Sequence, residues 1–137
     1  MDECEFCQIV RGQATARVVF DDAETIAFFP LAPAVKGHTL VIPKRHVQDI
    51  WSIDDLLASS LAVSTLKVAW GIKRALHPDG MNIINSSGRV ASQTVPHLHV
   101  HLVPRSEGDN FGDIWPSSEP MDPMAADKLA ALIREAV

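Results

Sequence analysis

Apolar positions along the chain change their spacing several times, and each change marks an element. From Cys4 to Arg11 the spacing suits one or two helical turns, which Gly12 ends. RVVF (17–20) and TIAFF (25–29) read as strands on either side of an Asp-Asp turn at 21–22. Pro30 and Pro33 then force an irregular loop, Gly37 permits a bend, and HTLVIP (38–43) resumes a strand that Pro43 closes. Ser52, with Asp55 three residues on, resembles a capping box opening the longest helical stretch, Ile53 to Leu76. Asp54 and Asp55 at its start and Lys73 and Arg74 near its end complement the helix dipole, and His77-Pro78-Asp79-Gly80 stops it. MNIINSS (81–87) reads as a strand, GRVASQTVP (88–96) as a loop and HLHVHLV (97–103) as a strand of period two. SEGDNFGDIWPSSEP (106–120) has no period, after which Asp122 and Pro123 look like the N-cap and first residue of a terminal helix. These elements predict an α+β domain with a mainly antiparallel five-stranded sheet, one long helix and a C-terminal helix.

Composition narrows the class without changing this picture. The chain has no internal repeat, low-complexity tract or linker, so residues 1–137 read as a single domain. A hydrophobic content of 47% with 21% charged residues is ordinary for a globular protein with a buried core. The start, MDECEFCQIV, is acidic and no run of 18 apolar residues occurs, which makes a cytoplasmic protein without signal peptide or membrane span the expectation. A formal net charge of −5 argues against tracking a nucleic-acid polymer, so any phosphate bound is expected to be small and held in a pocket.

Three of the six histidines fall at alternate positions in QTVPHLHVHLVPR (93–105). On a strand His97, His99 and His101 share one face, while Leu98, Val100 and Leu102 share the other and belong to the core. A merely solvated face would be served as well by Thr, Lys or Glu. One metal cannot take all three, because Cα atoms four residues apart on a strand lie about 13 Å from each other while metal–nitrogen bonds are about 2.1 Å. Neighbouring imidazoles can instead divide nucleophilic attack, charge stabilisation and proton transfer, which suits phosphoryl or nucleotidyl transfer.

The two cysteines, Cys4 and Cys7, close too short a loop for a useful disulfide. A C-x-x-C redox pair normally follows a strand, whereas this one precedes every strand; two thiolates at this spacing supply half of a tetrahedral zinc site.

The run H97-L-H-V-H-L-V103 resembles the His-φ-His-φ-His-φ-φ signature of the histidine triad (HIT) family of nucleotide hydrolases and transferases. The likeness extends through CEFCQIVRGQ, VVFDDAETIAFF, KGHTLVIPKRHV, MNIINSSG and QTVPHLHVHLVPR, in the order seen in the zinc-containing bacterial Hint-like branch. It implies His99 as nucleophile toward the α-phosphorus, giving a covalent nucleotidyl-histidine that water releases, with a backbone carbonyl near His97 orienting the ring. His101 would contact phosphate, and His38 would stabilise charge beside it. Asn85, Gln93 and Thr94 would make polar contacts to phosphate and leaving group, with Thr94 standing where serine is commoner. Cys4, Cys7, His46 and His97 would hold a structural zinc. The family's usual acidic ribose ligand is replaced here by Pro30, while Phe28, Phe29 and Leu31 could line a base pocket. A non-nucleoside phosphate substrate and a zinc-stabilised binding protein with little turnover therefore stand as alternatives. The resemblance also implies a homodimer, with Trp115 near the partner's site.

Overall fold

The computed structural model describes residues 4–137; the first three residues of the acidic start lie outside them. The order of elements is α1 (Glu5–Val10), β1 (Val18–Asp21), β2 (Thr25–Phe28), β3 (Thr39–Pro43), α2 (Asp55–Leu76), β4 (Gly80–Asn85), a 3-10 turn at Arg89–Ala91, β5 (Val100–Arg105) and α3 (Pro123–Ala136). The five strands form one antiparallel sheet in the order β1-β2-β3-β5-β4. This is the α+β arrangement that the pattern predicts.

The inner strands β2 and β3 are covered on both faces, and the alternation of each strand decides what each cover meets. Ala27, Val41, Leu98 and Leu102 pack with Leu57, Leu61, Val68 and Ile72 of α2. Ile26, Phe28, Leu40 and Ile42 point the other way and pack with Phe6 of α1. Burying side chains such as Phe28, Ile42 and Leu102 contributes about 1.5–3 kcal/mol each. By length and hydropathy α2 would also qualify to cross a bilayer, yet its buried positions are those facing the sheet.

Two local expectations are corrected. Asp54, not Ser52, caps α2: its carboxylate accepts from the Leu57 N–H at 2.9 Å, while the Ser52 hydroxyl donates to Asp49. An ionised acceptor at the N-cap is the stronger partner for the first free N–H groups. The last strand begins at Val100 rather than His97. The preceding residues leave the ladder because Leu98 N–H donates to Val47 O at 2.7 Å, which ties this segment to the chain that follows β3.

Gly37 prepares the site. It has φ of +90°, and a Cβ there would come 2.5 Å from Leu76 Cδ1, so the turn that delivers His38 to β3 requires glycine. At the other end of the chain α3 is capped by Asp122 and opened by Pro123, as the sequence predicts, but it buries none of its residues.

Candidate active site and metal centre

The histidines lie on the α1 side of the sheet, in two adjoining groups with His97 between them. Leu40 is paired with His101 across β3 and β5, so His38, two residues before Leu40, reaches the same face one diagonal step away. His38 Nε2 and His101 Nδ1 are 2.9 Å apart. The His99 and His101 rings are 4.9 Å apart between centroids, and Phe6 sets its edge against His99 at 5.3 Å and against His97 at 5.8 Å.

Backbone partners fix which nitrogen of each ring carries the proton. A carbonyl can only accept, so the 2.8 Å contact from His99 Nδ1 to His97 O makes Nδ1 the donor and leaves a lone pair on Nε2 in the neutral ring. His97 follows the same rule with its nitrogens exchanged: Nε2–H donates to Pro43 O at 2.8 Å and Nδ1 keeps the lone pair. His38 is set the opposite way, since the Ala34 N–H donates to its Nδ1 at 3.0 Å. Its proton is therefore on Nε2 and donates to His101 Nδ1, which leaves the His101 proton on Nε2.

Burial favours the neutral form of His38, His97 and His101. It is the main cause lowering the His101 pKa to about 4, with the charges of His99 and His38 adding to it. Burial first, and then His99, also lowers the pKa of His38.

His99 and His101 open, with His38, into a cavity of about 790 Å³. Thr94, Phe28, Phe29, Pro30 and Leu31 also line it, so most residues singled out in the sequence for substrate contact meet at one place. Asn85 and Gln93 are not among its lining residues, and their side chains bond to backbone. The Asn85 amide donates to His99 O at 2.9 Å, extending the β4–β5 ladder beyond its last backbone pair, Asn85 with Val100. The Gln93 side chain accepts from Gly88 N–H and donates to Gln48 O and Val95 O, which braces the loop before His97. Trp115 is exposed in the loop before α3. Glu5, Phe6, Ile9 and Arg17 are cavity residues that the sequence reading missed. The signal for Phe6 was its place between Cys4 and Cys7: if those sulfurs meet His97, Phe6 must lie against the triad.

Cys4, Cys7, His46 and His97 form the second group. Their ligand atoms all lie within 4.8 Å of one another. His97 Nδ1 is 3.4 Å from Cys4 Sγ and 3.6 Å from Cys7 Sγ; His46 Nδ1 is 3.3 Å from Cys7 Sγ and 3.1 Å from His97 Nδ1. Bonds of about 2.1 Å to nitrogen and 2.3 Å to sulfur give a tetrahedron edges of about 3.4–3.8 Å. The four separations just given, 3.1–3.6 Å, lie within or slightly below that range, and the lone pair of His97 points inward because Pro43 O holds the opposite nitrogen. Burial, followed by the neighbouring Cys4, raises the Cys7 pKa, so a cation is what would favour the thiolate. The four residues make a Cys2His2 cluster able to coordinate a metal.

Comparison with known proteins gives these features a family. An adenosine 5'-monophosphoramidase, hnt1, from Schizosaccharomyces pombe is 33% identical over 133 residues, covering 96% of this chain and 94% of that protein. The crystal structure of a HIT family protein from Bacillus anthracis superposes with a TM-score of 0.91 at 40% identity, over 99% of this chain and 98% of that one. A zinc-bound histidine triad family protein from Mycobacterium smegmatis does so with a TM-score of 0.77 at 32% identity, over 98% and 96%. The HIT domain model matches residues 11–108, most of the chain and all five strands, and the chain belongs to the HIT family.

Proposed function

We propose that this protein is a nucleotide hydrolase or transferase that cleaves a phosphorus-linked nucleotide, a phosphoramidate or nucleotide ester, through a covalent intermediate on His99. The observation that carries the reading is the 2.8 Å contact of His99 Nδ1 with His97 O, which leaves Nε2 as the nitrogen with the lone pair in the neutral ring, beside a cavity that His101 and His38 also line. The printed activity of the S. pombe relative supports it.

In this mechanism Nε2 attacks the α-phosphorus in line as the bond to the leaving group breaks. The leaving group departs with the bonding electrons and takes a proton from solvent. Water then attacks the same phosphorus and gives a proton back to solvent as the P–N bond breaks, and the electron pair of that bond returns to Nε2, restoring His99. The Nε2–H of His101 donates to a non-bridging phosphate oxygen, and His38 holds that proton in place through Nδ1 of His101. Thr94, on the cavity wall, offers a hydroxyl toward the leaving group. Asn85 and Gln93 support the segment carrying His99 rather than touching substrate.

The reading includes zinc at Cys4, Cys7, His46 and His97, supported by the tetrahedral edges and by the zinc-bound M. smegmatis relative. Such an ion would be structural: held by four side chains, it would fix the backbone that carries His97 and would leave no position for substrate. A homodimer belongs to the same reading. The exposed Met124, Leu129, Leu132 and Ile133 of α3 support it, and sedimentation analysis tests it.

The deciding experiment incubates purified protein with an adenosine phosphoramidate and follows turnover and intact mass. Turnover should fall by about 10³-fold or more in His99→Ala, and a nucleotidyl adduct should map to His99 in the unmodified chain. Unchanged turnover in His99→Ala would sink the mechanism. If ribose-free phosphate compounds react and nucleotides do not, the substrate is the non-nucleoside class that Pro30 on the cavity wall favours.

A further inference from the structure

The cavity that receives the triad is mostly apolar away from its imidazoles. Phe6, Ile9, Phe29, Pro30 and Leu31 form wall that offers no side-chain hydrogen bond to a substrate. Among the described residues that line it, one side chain is a carboxylate, Glu5, and none of its hydrogen bonds or ion pairs is satisfied by another described residue. Glu5 is exposed, and its neighbours place its backbone beside the cavity. Cys4 and Cys7 on either side belong to the Cys2His2 cluster, and the adjoining Phe6 ring packs edge-on against Phe28 at 5.4 Å. A carboxylate in the first turn would also complement a helix dipole, but α1 has only six residues and its N-cap is the Cys4 sulfur, so the electrostatic gain is small.

A carboxylate only accepts hydrogen bonds, and its two oxygens can take paired donors. Resting on the nucleotide reading above, we infer that Glu5 is a specificity-determining residue: its carboxylate receives paired O–H or N–H donors on the part of the substrate remote from the scissile phosphorus. Two parts of a nucleotide present that chemistry, the vicinal diol of ribose and the exocyclic amine of a base. Because Glu5 is exposed in the free protein, a substrate that covers it without offering such donors would strip water from the carboxylate uncompensated, a penalty that selects against it.

The test measures binding of adenosine 5'-monophosphate, its 2'-deoxy analogue and inosine 5'-monophosphate to the wild type, Glu5→Gln and Glu5→Leu, with metal content checked in each. The wild type should bind the adenosine compound about tenfold more tightly than one of the other two, and both variants should lose that preference. Loss confined to the deoxy comparison assigns Glu5 to the diol; loss confined to the inosine comparison assigns it to the amine. Equal affinities in wild type and variants, or an equal loss for all three ligands at unchanged metal content, overturns the inference while leaving the nucleotide reading intact. Binding of none of the three by the wild type, together with no turnover, overturns both.

Discussion

The two histidine pairs of the site, His46 with His97 and His38 with His101, have nearly the same nitrogen–nitrogen separation, 3.1 and 2.9 Å, and opposite chemistry. What differs is the backbone group on the far side of one ring. Pro43 presents a carbonyl to His97, which draws the proton to Nε2 and turns a lone pair toward His46 and the cysteines. Ala34 presents an N–H to His38, which draws the proton to the other side and places it between the two rings. The first pair, with the two cysteines, is arranged so that a cation could complete it, whereas the second pair is joined by its own proton. Identical side chains on one sheet face are thus given separate tasks by a single backbone atom each.

His97 belongs to both regions, and the largest predicted effect comes from breaking the cluster there. Its ring faces the cysteines while its carbonyl holds the His99 ring. Cys7→Ser should remove stoichiometric metal, lower the melting temperature by about 10 °C or more, and reduce turnover by about 10–100-fold although no cavity group has changed. Elemental analysis, a thermal melt and an activity assay on the same preparation check it. Full activity in metal-free protein would show that the two regions are independent.

A smaller effect follows from the neutral state of the second pair. His101 titrates at about 4 in the folded protein and near 6.5 when unfolded. Between those values the unfolded chain binds more protons, so folding stability falls as pH drops from 6.5 toward 4. The lowered His38 pKa acts in the same direction. Urea midpoints at pH 7 and pH 5 should therefore drop more for wild type than for His101→Asn. Metal loss at low pH is common to both and cancels in the difference; an equal drop would show that His101 is not buried neutral.

How far the sequence reveals this arrangement depends on the range of the interaction. Strand alternation placed the triad on one face and put Leu98 and Leu102 in the core, because period two is a property of neighbouring residues. The full Cys2His2 quartet was legible only through resemblance, since His46 meets Cys7 across 39 residues. The roles of Ala34 N–H and Pro43 O were not legible, because any residue type supplies those atoms. The bond from Asn85 to His99 O was not legible for a related reason: the residue type announces hydrogen bonding, but its partner depends on the β4–β5 register.

That register leads to the mildest prediction. The Asn85 amide gives His99 O a hydrogen bond where the backbone ladder has ended, and Ser87 donates to the Asn85 oxygen, which orients the amide so that its N–H2 faces His99. Asn85→Ala removes a donor at a partly buried carbonyl, worth about 1 kcal/mol of stability, with a several-fold loss of turnover as the His99 backbone loosens. Asn85→Asp should be at least as destabilising despite its nearly identical shape, because an ionised carboxylate has no proton to give and sets like partial charges against His99 O. Metal content should be unchanged in both variants, since the bond acts on His99 and not on the ring of His97. Urea midpoints ordered wild type, Ala, Asp, at constant metal, would place Asn85 as a positioning residue of the cavity end alone; an Asp variant as stable as wild type would mean that the amide bond to His99 contributes nothing.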